Sequence, residues 1–320
     1  MTAAAGASFL GIDIGGTKVS LGAVRGAGRA DAAEERHALA RWRNPAGDVE
    51  EDLSVLRAQV TDLRRTTGWQ FAGVGVAVAA TLDADGRVVA WPNRPTWTGL
   101  DLLRELRSLF PQARVVCGDD GSLAAVAEAR AVDATDMVYV GVGTGVGGGM
   151  IAGGRLVPGL SRGSCELGHL IVNRDGARCA CGRRGCLQAE SSGPATLSRA
   201  AAARGKATTF DELRAGYADG AAWAVAAVRH SCAALAAALA GVGELSRPAA
   251  HIVGGGFAAG IPGFVAEVAR HAATLSRPGH PVAPVRSARF GAESSLRGAI
   301  VAATGELRDH AVTTGSDATG

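Results

Sequence analysis

Residues 9–24, FLGIDIGGTKVSLGAV, decide the fold. Apolar strand-forming residues flank Gly15-Gly16 on both sides, so the segment reads as a strand, a glycine turn and a second strand. Residues 137–151, MVYVGVGTGVGGGMI, repeat the pattern of apolar strand, Gly/Thr turn and apolar strand. Two such segments more than a hundred residues apart read as an internal duplication. The implied architecture is α/β with two similar lobes, each opening on a Gly-rich phosphate loop.

Working outward, 48–66 carries Val49, Leu53, Leu56, Val60 and Leu63 at helical spacing, and 74–78 follows as a Gly/Val-rich strand. A turn at 83–86, a short strand at 88–90, a helix over 99–110 and a strand over 114–117 come next. Asp119 and Asp120 then stand where this strand passes into a helix beginning near Leu123. Residues 195–243 read as helical, 251–253 as a strand ending in Gly254-Gly255-Gly256, and 262–273 and 296–307 as helices. The expected division is a small lobe, 1–118, completed by the C-terminal helix 294–307. A large lobe, 119–293, would hold a Cys-rich loop at 165–188, with a loose tail at 308–320.

Composition narrows the function classes. Gly and Pro total 57 of 320 residues, about 18%, short of an unstructured low-complexity chain, so the 46 glycines need a structural reason. The net charge of +3 forms no basic stripe, and aromatic residues are only 4%, which argues against nucleic acid as a partner. All basic residues except Lys18 and Lys206 are arginine, a bias of GC-rich genomes. The N-terminus lacks the basic segment of a signal peptide, and the most apolar stretch, 221–242, is Ala-rich and interrupted by Arg229 and His230. A cytoplasmic protein without a membrane anchor is expected.

Asp13-Ile-Gly15-Gly16-Thr17-Lys18 places an acid, two glycines, a hydroxyl and an amine in one turn. Glycines let backbone N–H groups approach phosphate oxygens, Thr17 adds a donor, and Asp13 can hold a water of a Mg²⁺ ion. A plain hairpin turn explains the glycines but not the acid and hydroxyl. Gly143, Gly145 and Gly148 match the dinucleotide fingerprint in spacing, but that motif must open a helix. Here 150–158 continues as strand and turn, so a hairpin phosphate loop is the better reading. Of Asp119 and Asp120, one can cap the helix; the other, at a strand end facing a phosphate site, can serve as a general base. Glu166-Leu-Gly-His169 followed by Cys179, Cys181 and Cys186 supplies one imidazole and three thiols. That set suits a closed tetrahedral Zn²⁺ site of structural type.

Together these segments, with Ser192-Gly-Pro194, resemble the ROK family (repressors, open reading frames, kinases) from Gly11 to about Gly298. The resemblance implies an actin-like, RNase H-type duplicated fold and a sugar kinase, often a homodimer, using ATP and Mg²⁺. It implies Zn²⁺ on His169, Cys179, Cys181 and Cys186, and Asp120 as catalytic base. ATP would meet Asp13, Gly15, Gly16, Thr17 and Lys18, then Gly143, Thr144, Gly145, Gly147 and Gly148, with Gly254, Gly255 and Gly256 flanking the adenosine. Asp119, Glu166, His169 and Gln188 would grip the substrate.

Four departures cluster at the sugar. The family's Asn-Asp pair is Asp119-Asp120 here, the following Asn is Ser122, and a Pro-Gly is replaced by Ala79-Ala80. The Glu after Gly-Cys-Leu is Gln188. Exchanging amide for carboxylate changes the donor and acceptor code, and a mispaired buried polar group costs about 1–3 kcal/mol. The expected substrate is therefore a small polyol other than ordinary glucose: a C7-cyclitol of the valiolone type, phosphorylated on its exocyclic hydroxymethyl as in actinobacterial aminocyclitol pathways. Glucose or an N-acetylhexosamine is the alternative. The family's repressors carry an N-terminal winged helix before the Asp-x-Gly-Gly-Thr segment; with twelve residues before Asp13, a repressor is not expected.

Overall fold

The computed structural model describes residues 6–26, 34–44, 47–160 and 163–305, and the chain divides into two compact units. The first comprises 1–127, 158–164 and 295–320; the second comprises 128–157 and 165–294.

In the first unit, β1 (Ser8–Ile14) and β2 (Lys18–Arg25) form the expected antiparallel hairpin, and β3 (Glu34–Arg41) extends it as an edge strand. Helix α1 (Val49–Thr67) leads to β4 (Phe71–Val78), which pairs parallel to β1. Asp48 caps α1 by accepting from Glu51 N–H at 2.9 Å, and Gly68, in the left-handed region, ends it. Leu53, Leu56, Val60 and Leu63 are its buried stripe, each contributing roughly 1.5–3 kcal/mol on burial. A small hairpin, β5 (Thr81–Leu82) with β6 (Val88–Ala90), and α2 (Leu102–Leu109) precede β7 (Arg114–Asp119), parallel to β4. The sheet order is β3-β2-β1-β4-β7. Helix α3 (Asp120–Ala131) follows β7 without a break, so 119–127 belong to the first unit, whereas the sequence reading assigned them to the second lobe.

The second unit repeats the plan with β8 (Met137–Val142), β9 (Val146–Ala152) and β10 (Arg155–Val157), then α4 (Leu187–Ser191), α5 (Gly193–Arg204), α6 (Phe210–Ala218) and α7 (Ala222–Ser246). Strand β11 (Ala250–Gly254), the short α8 (Gly256–Gly260), α9 (Phe264–Thr274) and β12 (Val285–Ser287) complete it. Its order, β10-β9-β8-β11-β12, has the same pairing senses as the first sheet. The expected duplication is thus present strand for strand. The helical stretch expected over 195–243 is three helices, because Gly205 and Gly220 take positive φ (70° and 72°) at the breaks.

Helix α7 is long and apolar enough to cross a membrane by composition, yet Ala224, Val228, Cys232, Leu235 and Leu239 form part of the second unit's buried core. The last helix, α10 (Ser294–Ala303), packs on the first sheet, where a Cβ at Gly75 would strike the Ala299 carbonyl. The rest of the helix expected to 307, and the tail 308–320, lie outside the described residues.

Candidate active site and metal centre

The first unit gathers its acids at the C-terminal ends of three parallel strands, the end of an open α/β sheet where ligands bind. Ile14, Val78 and Asp119 stand in register, so Asp13 lies one step back from the rim that Asp120 caps. Asp119 Oδ2 accepts from Ser122 N–H at 2.8 Å, the cap expected of one member of the pair. Asp120 Oδ1 accepts from Gly121 N–H at 2.7 Å, and the Asp119 carboxyl is its neighbour in the chain. Burial raises the Asp120 pKa, while the hydrogen bond from Gly121 favours its ionised form. Asp13 is pushed up to about 7, first by burial and then by the charge of Asp120, with Lys18 acting in the opposite sense. Carboxyls whose pKa values are raised by burial, and in Asp13 also by a neighbouring carboxylate's charge, are candidates for acid–base work.

The adjoining turn is held from behind. Gly15 N–H donates to Lys18 O, Trp42 N–H to Thr17 O, and the Trp42 indole N–H to Gly15 O at 2.7 Å. Gly16 packs against Asn93.

In the second unit the matching turn is Gly143-Thr144-Gly145, closed by Gly143 N–H donating to Gly145 O at 2.9 Å. Gly147 and Gly148 lie in β9, paired with Gly141 and Val140. Gly148 is small for packing, since a Cβ there would strike Leu167 and the Tyr139 carbonyl. Gln188 Oε1 accepts from Val146 N–H at 3.1 Å, and Gly193 N–H donates to Gly143 O at 2.9 Å, so the segment after the cysteines supports this turn. Gly255, at φ 86°, closes against the end of β8, where a side chain would meet the Val142 backbone.

The donor atoms of His169, Cys179, Cys181 and Cys186 all lie within 4.8 Å of one another. Cys179 Sγ is 3.7 Å from His169 Nδ1, and Cys181 Sγ is 3.6 Å from Cys186 Sγ. Tetrahedral Zn²⁺ with its usual Zn–S and Zn–N lengths sets neighbouring donors about 3.5–3.8 Å apart, so the residues fit the ion. The backbone and side chain of Arg183 lower the Cys181 thiol to about 6, favouring thiolate, while burial raises Cys186 to about 12. With Nδ1 turned to the thiols, His169 Nε2 lies 3.9 Å from the exposed Glu166 carboxylate.

Sequence reasoning missed Glu190, a buried acid that ties this loop to the helices. It accepts from Ala177 N–H at 2.7 Å and meets His230 Nε2 at 2.7 Å and Arg199 at 3.3 Å. Burial would raise its pKa, but these partners hold it below the usual carboxylate range. The signal was its position: a charge inside a Leu-Gln-Ala-Glu-Ser-Ser helix start needs partners.

Residues 9–306 match the ROK family. The chain belongs to the ROK family. A kanosamine kinase of Amycolatopsis mediterranei (strain S699) is 49% identical to this ROK protein over 294 residues, 92% of this chain and 95% of that one. An N-acetylmannosamine kinase of Citrobacter koseri is 33% identical over 311 residues, covering 93% and 99%. The crystal structure of a ROK family glucokinase from Streptomyces griseus in complex with glucose and AMPPNP has a TM-score of 0.77 at 26% identity, covering 92% of this chain and 99% of that one. This ROK protein is accordingly a sugar kinase, an ATP-dependent phosphotransferase with the actin-like duplicated fold.

Proposed function

We propose that the chain transfers the γ-phosphoryl group of ATP to the primary hydroxyl of an aminohexose of the kanosamine type, acting in the cytoplasm as a homodimer. The observation that carries the substrate class is the Asp119 carboxyl at the end of β7, directly beside Asp120 at the start of α3, where the family pattern has an amide. Two adjacent carboxyls share a proton unless a cation compensates their charge. A substrate ammonium beside Asp119 supplies that cation and leaves Asp120 ionised, ready to take the proton of the attacking hydroxyl. The 49% identity to a kanosamine kinase supports the same class.

Asp120 acts as base, and the turn at 15–18 presents backbone N–H groups to phosphate oxygens; the turn at 143–145 in the second unit is of the same type. Asp13 is the residue that would hold the Mg²⁺ accompanying ATP, which neutralises charge on the phosphates. His169, Cys179, Cys181 and Cys186 would hold Zn²⁺, whose chemistry would be structural, with these four side chains fixing the loop that carries Glu166 and leads into Gln188.

A C7-cyclitol offers the same exocyclic hydroxymethyl but gives Asp119 no charge partner, and is the rival substrate. The test is ADP release with kanosamine, glucose, N-acetylmannosamine and a valiolone, for wild type and Asp119→Asn. Kanosamine is expected to have the highest kcat/KM, and Asp119→Asn to lower it by about 10- to 100-fold while glucose gains. Preference of the wild type for the valiolone or glucose would overturn the aminohexose assignment.

A further inference from the structure

Asp52, on α1, and Arg94 are both fully buried in the first unit. Arg94 Nε donates to Asp52 Oδ2 at 2.8 Å and Nη2 to Oδ1 at 2.7 Å, while the Trp97 indole N–H also donates to Oδ2 at 2.8 Å. A buried ion pair is weak support for stability, since apolar residues of similar volume often replace one without loss. Its remaining bonds point to a different role. Arg94 Nη1 donates to Gly16 O at 2.9 Å and Nη2 to Asn44 O at 3.1 Å, and the guanidinium carbon lies 5.1 Å from the centre of the Trp42 ring. Trp42 itself donates to Gly15 O and Thr17 O.

Three consecutive carbonyls of the turn are therefore pinned to one side. In a planar trans peptide the N–H points opposite to its C=O. Pinning Gly15 O and Gly16 O thus aims Gly16 N–H and Thr17 N–H away from the Trp42 and Arg94 side, and neither N–H donates to any described residue. A guanidinium fork can hold a carboxylate bidentately and still spare a donor for a carbonyl, which an ammonium does with far less directional control.

We propose that Arg94, locked by Asp52, is a positioning residue for ATP, fixing the Gly16 carbonyl so that Thr17 N–H faces the phosphates. This rests on the reading of residues 15–18 as a phosphate turn. It acts on nucleotide affinity and leaves recognition of the sugar largely untouched.

The test is calorimetric binding of Mg²⁺–AMPPNP, with KM for ATP and for the sugar, in wild type, Arg94→Lys and the double variant Asp52→Leu/Arg94→Met. Arg94→Lys keeps a charge for Asp52 and loses the fork; the double variant removes both charges together. Both are expected to melt near the wild type, to bind the nucleotide at least about tenfold more weakly, and to keep KM for the sugar within about threefold. Folded Arg94→Lys with nucleotide affinity within twofold of wild type overturns the role of Arg94, as does an equal rise in both KM values. Wild type that fails to bind the nucleotide overturns the kinase reading itself, a distinct outcome.

Discussion

His251 gives the protein a built-in acid sensitivity whose size can be worked out. The ring is fully buried on β11, and neither Nδ1 nor Nε2 has a hydrogen-bond partner among the described residues. Burial lowers its pKa from 6.5 to about 4. The unfolded chain takes up a proton near pH 6.5 that the native protein refuses until about pH 4. Stability due to the neutral ring is therefore complete above pH 6.5, falls as pH drops through that window, and is lost by about pH 4. A shift of about 2.5 units corresponds to about 3 kcal/mol in all, and about 2 kcal/mol between pH 7.5 and pH 5. His251→Val removes the titrating group and suits a strand. The assay is urea unfolding of both proteins at pH 7.5 and pH 5 with excess Zn²⁺, taking the difference of differences so that other titrating groups cancel. The wild type is expected to lose about 2 kcal/mol more than His251→Val on acidification. At pH 7.5 the variant is expected to be no less stable, because an unpartnered buried N–H costs about 1–3 kcal/mol. Parallel pH dependence of the two proteins would refute the reasoning.

Asp120→Asn is expected to lower kcat by at least about 100-fold with unchanged circular dichroism and AMPPNP affinity, since a positioned base contributes about 10²–10⁴. Near-normal turnover rules out Asp120 as the base. Cys179→Ser is expected to cut the zinc content, measured by elemental analysis, from one ion per chain to near zero and to lower the melting temperature. Equal zinc in both proteins rejects the assigned ligand set. Asp13 is raised to about 7, so it is mostly protonated below that pH, and wild-type kcat/KM is expected to fall as pH drops from 8 to 6. Between 3.8 and about 7 the native protein holds a proton that the unfolded chain has lost, so ionised Asp13 weakens the fold as pH rises. Asp13→Asn is accordingly expected to melt above wild type at pH 8, with the gap closing towards pH 4; a gap independent of pH contradicts it.

Much of the fold was legible because each sheet opens on a hairpin whose apolar strands and glycine turn are local in sequence. The acids of the candidate site were legible for the same reason, since Asp119 and Asp120 sit at a strand-to-helix junction. What escaped depends on distance along the chain or on mixed patterning. Strand β3, EERHALAR, is an edge strand with exposed residues along its length and lacks clean alternation. The breaks within 195–243 were signalled by Gly205, Gly220 and the Thr209–Glu212 capping box, yet the abundance of Ala masked them. Asp52 and Arg94 each look like solvated charges, and only the fold brings them together across 42 residues. Gln188 stands out by its departure from the family pattern, but its bond to Val146 N–H depends on the packing of α4 against the turn.

The placement of α10 has a consequence for how the protein is made. Ala299, Ala302 and Ala303 cover the face of β1, β4 and β7, and Arg114 donates to the Ala302 carbonyl at 2.7 Å. During synthesis, the strands that open the chain leave the ribosome long before the helix that covers them. The second unit has all of its described elements by residue 294 and can mature first. The N-terminal sheet must wait for nearly the last residues translated, so a ribosome stalled late in the message releases a chain with a finished second unit and an uncovered apolar face on its first sheet.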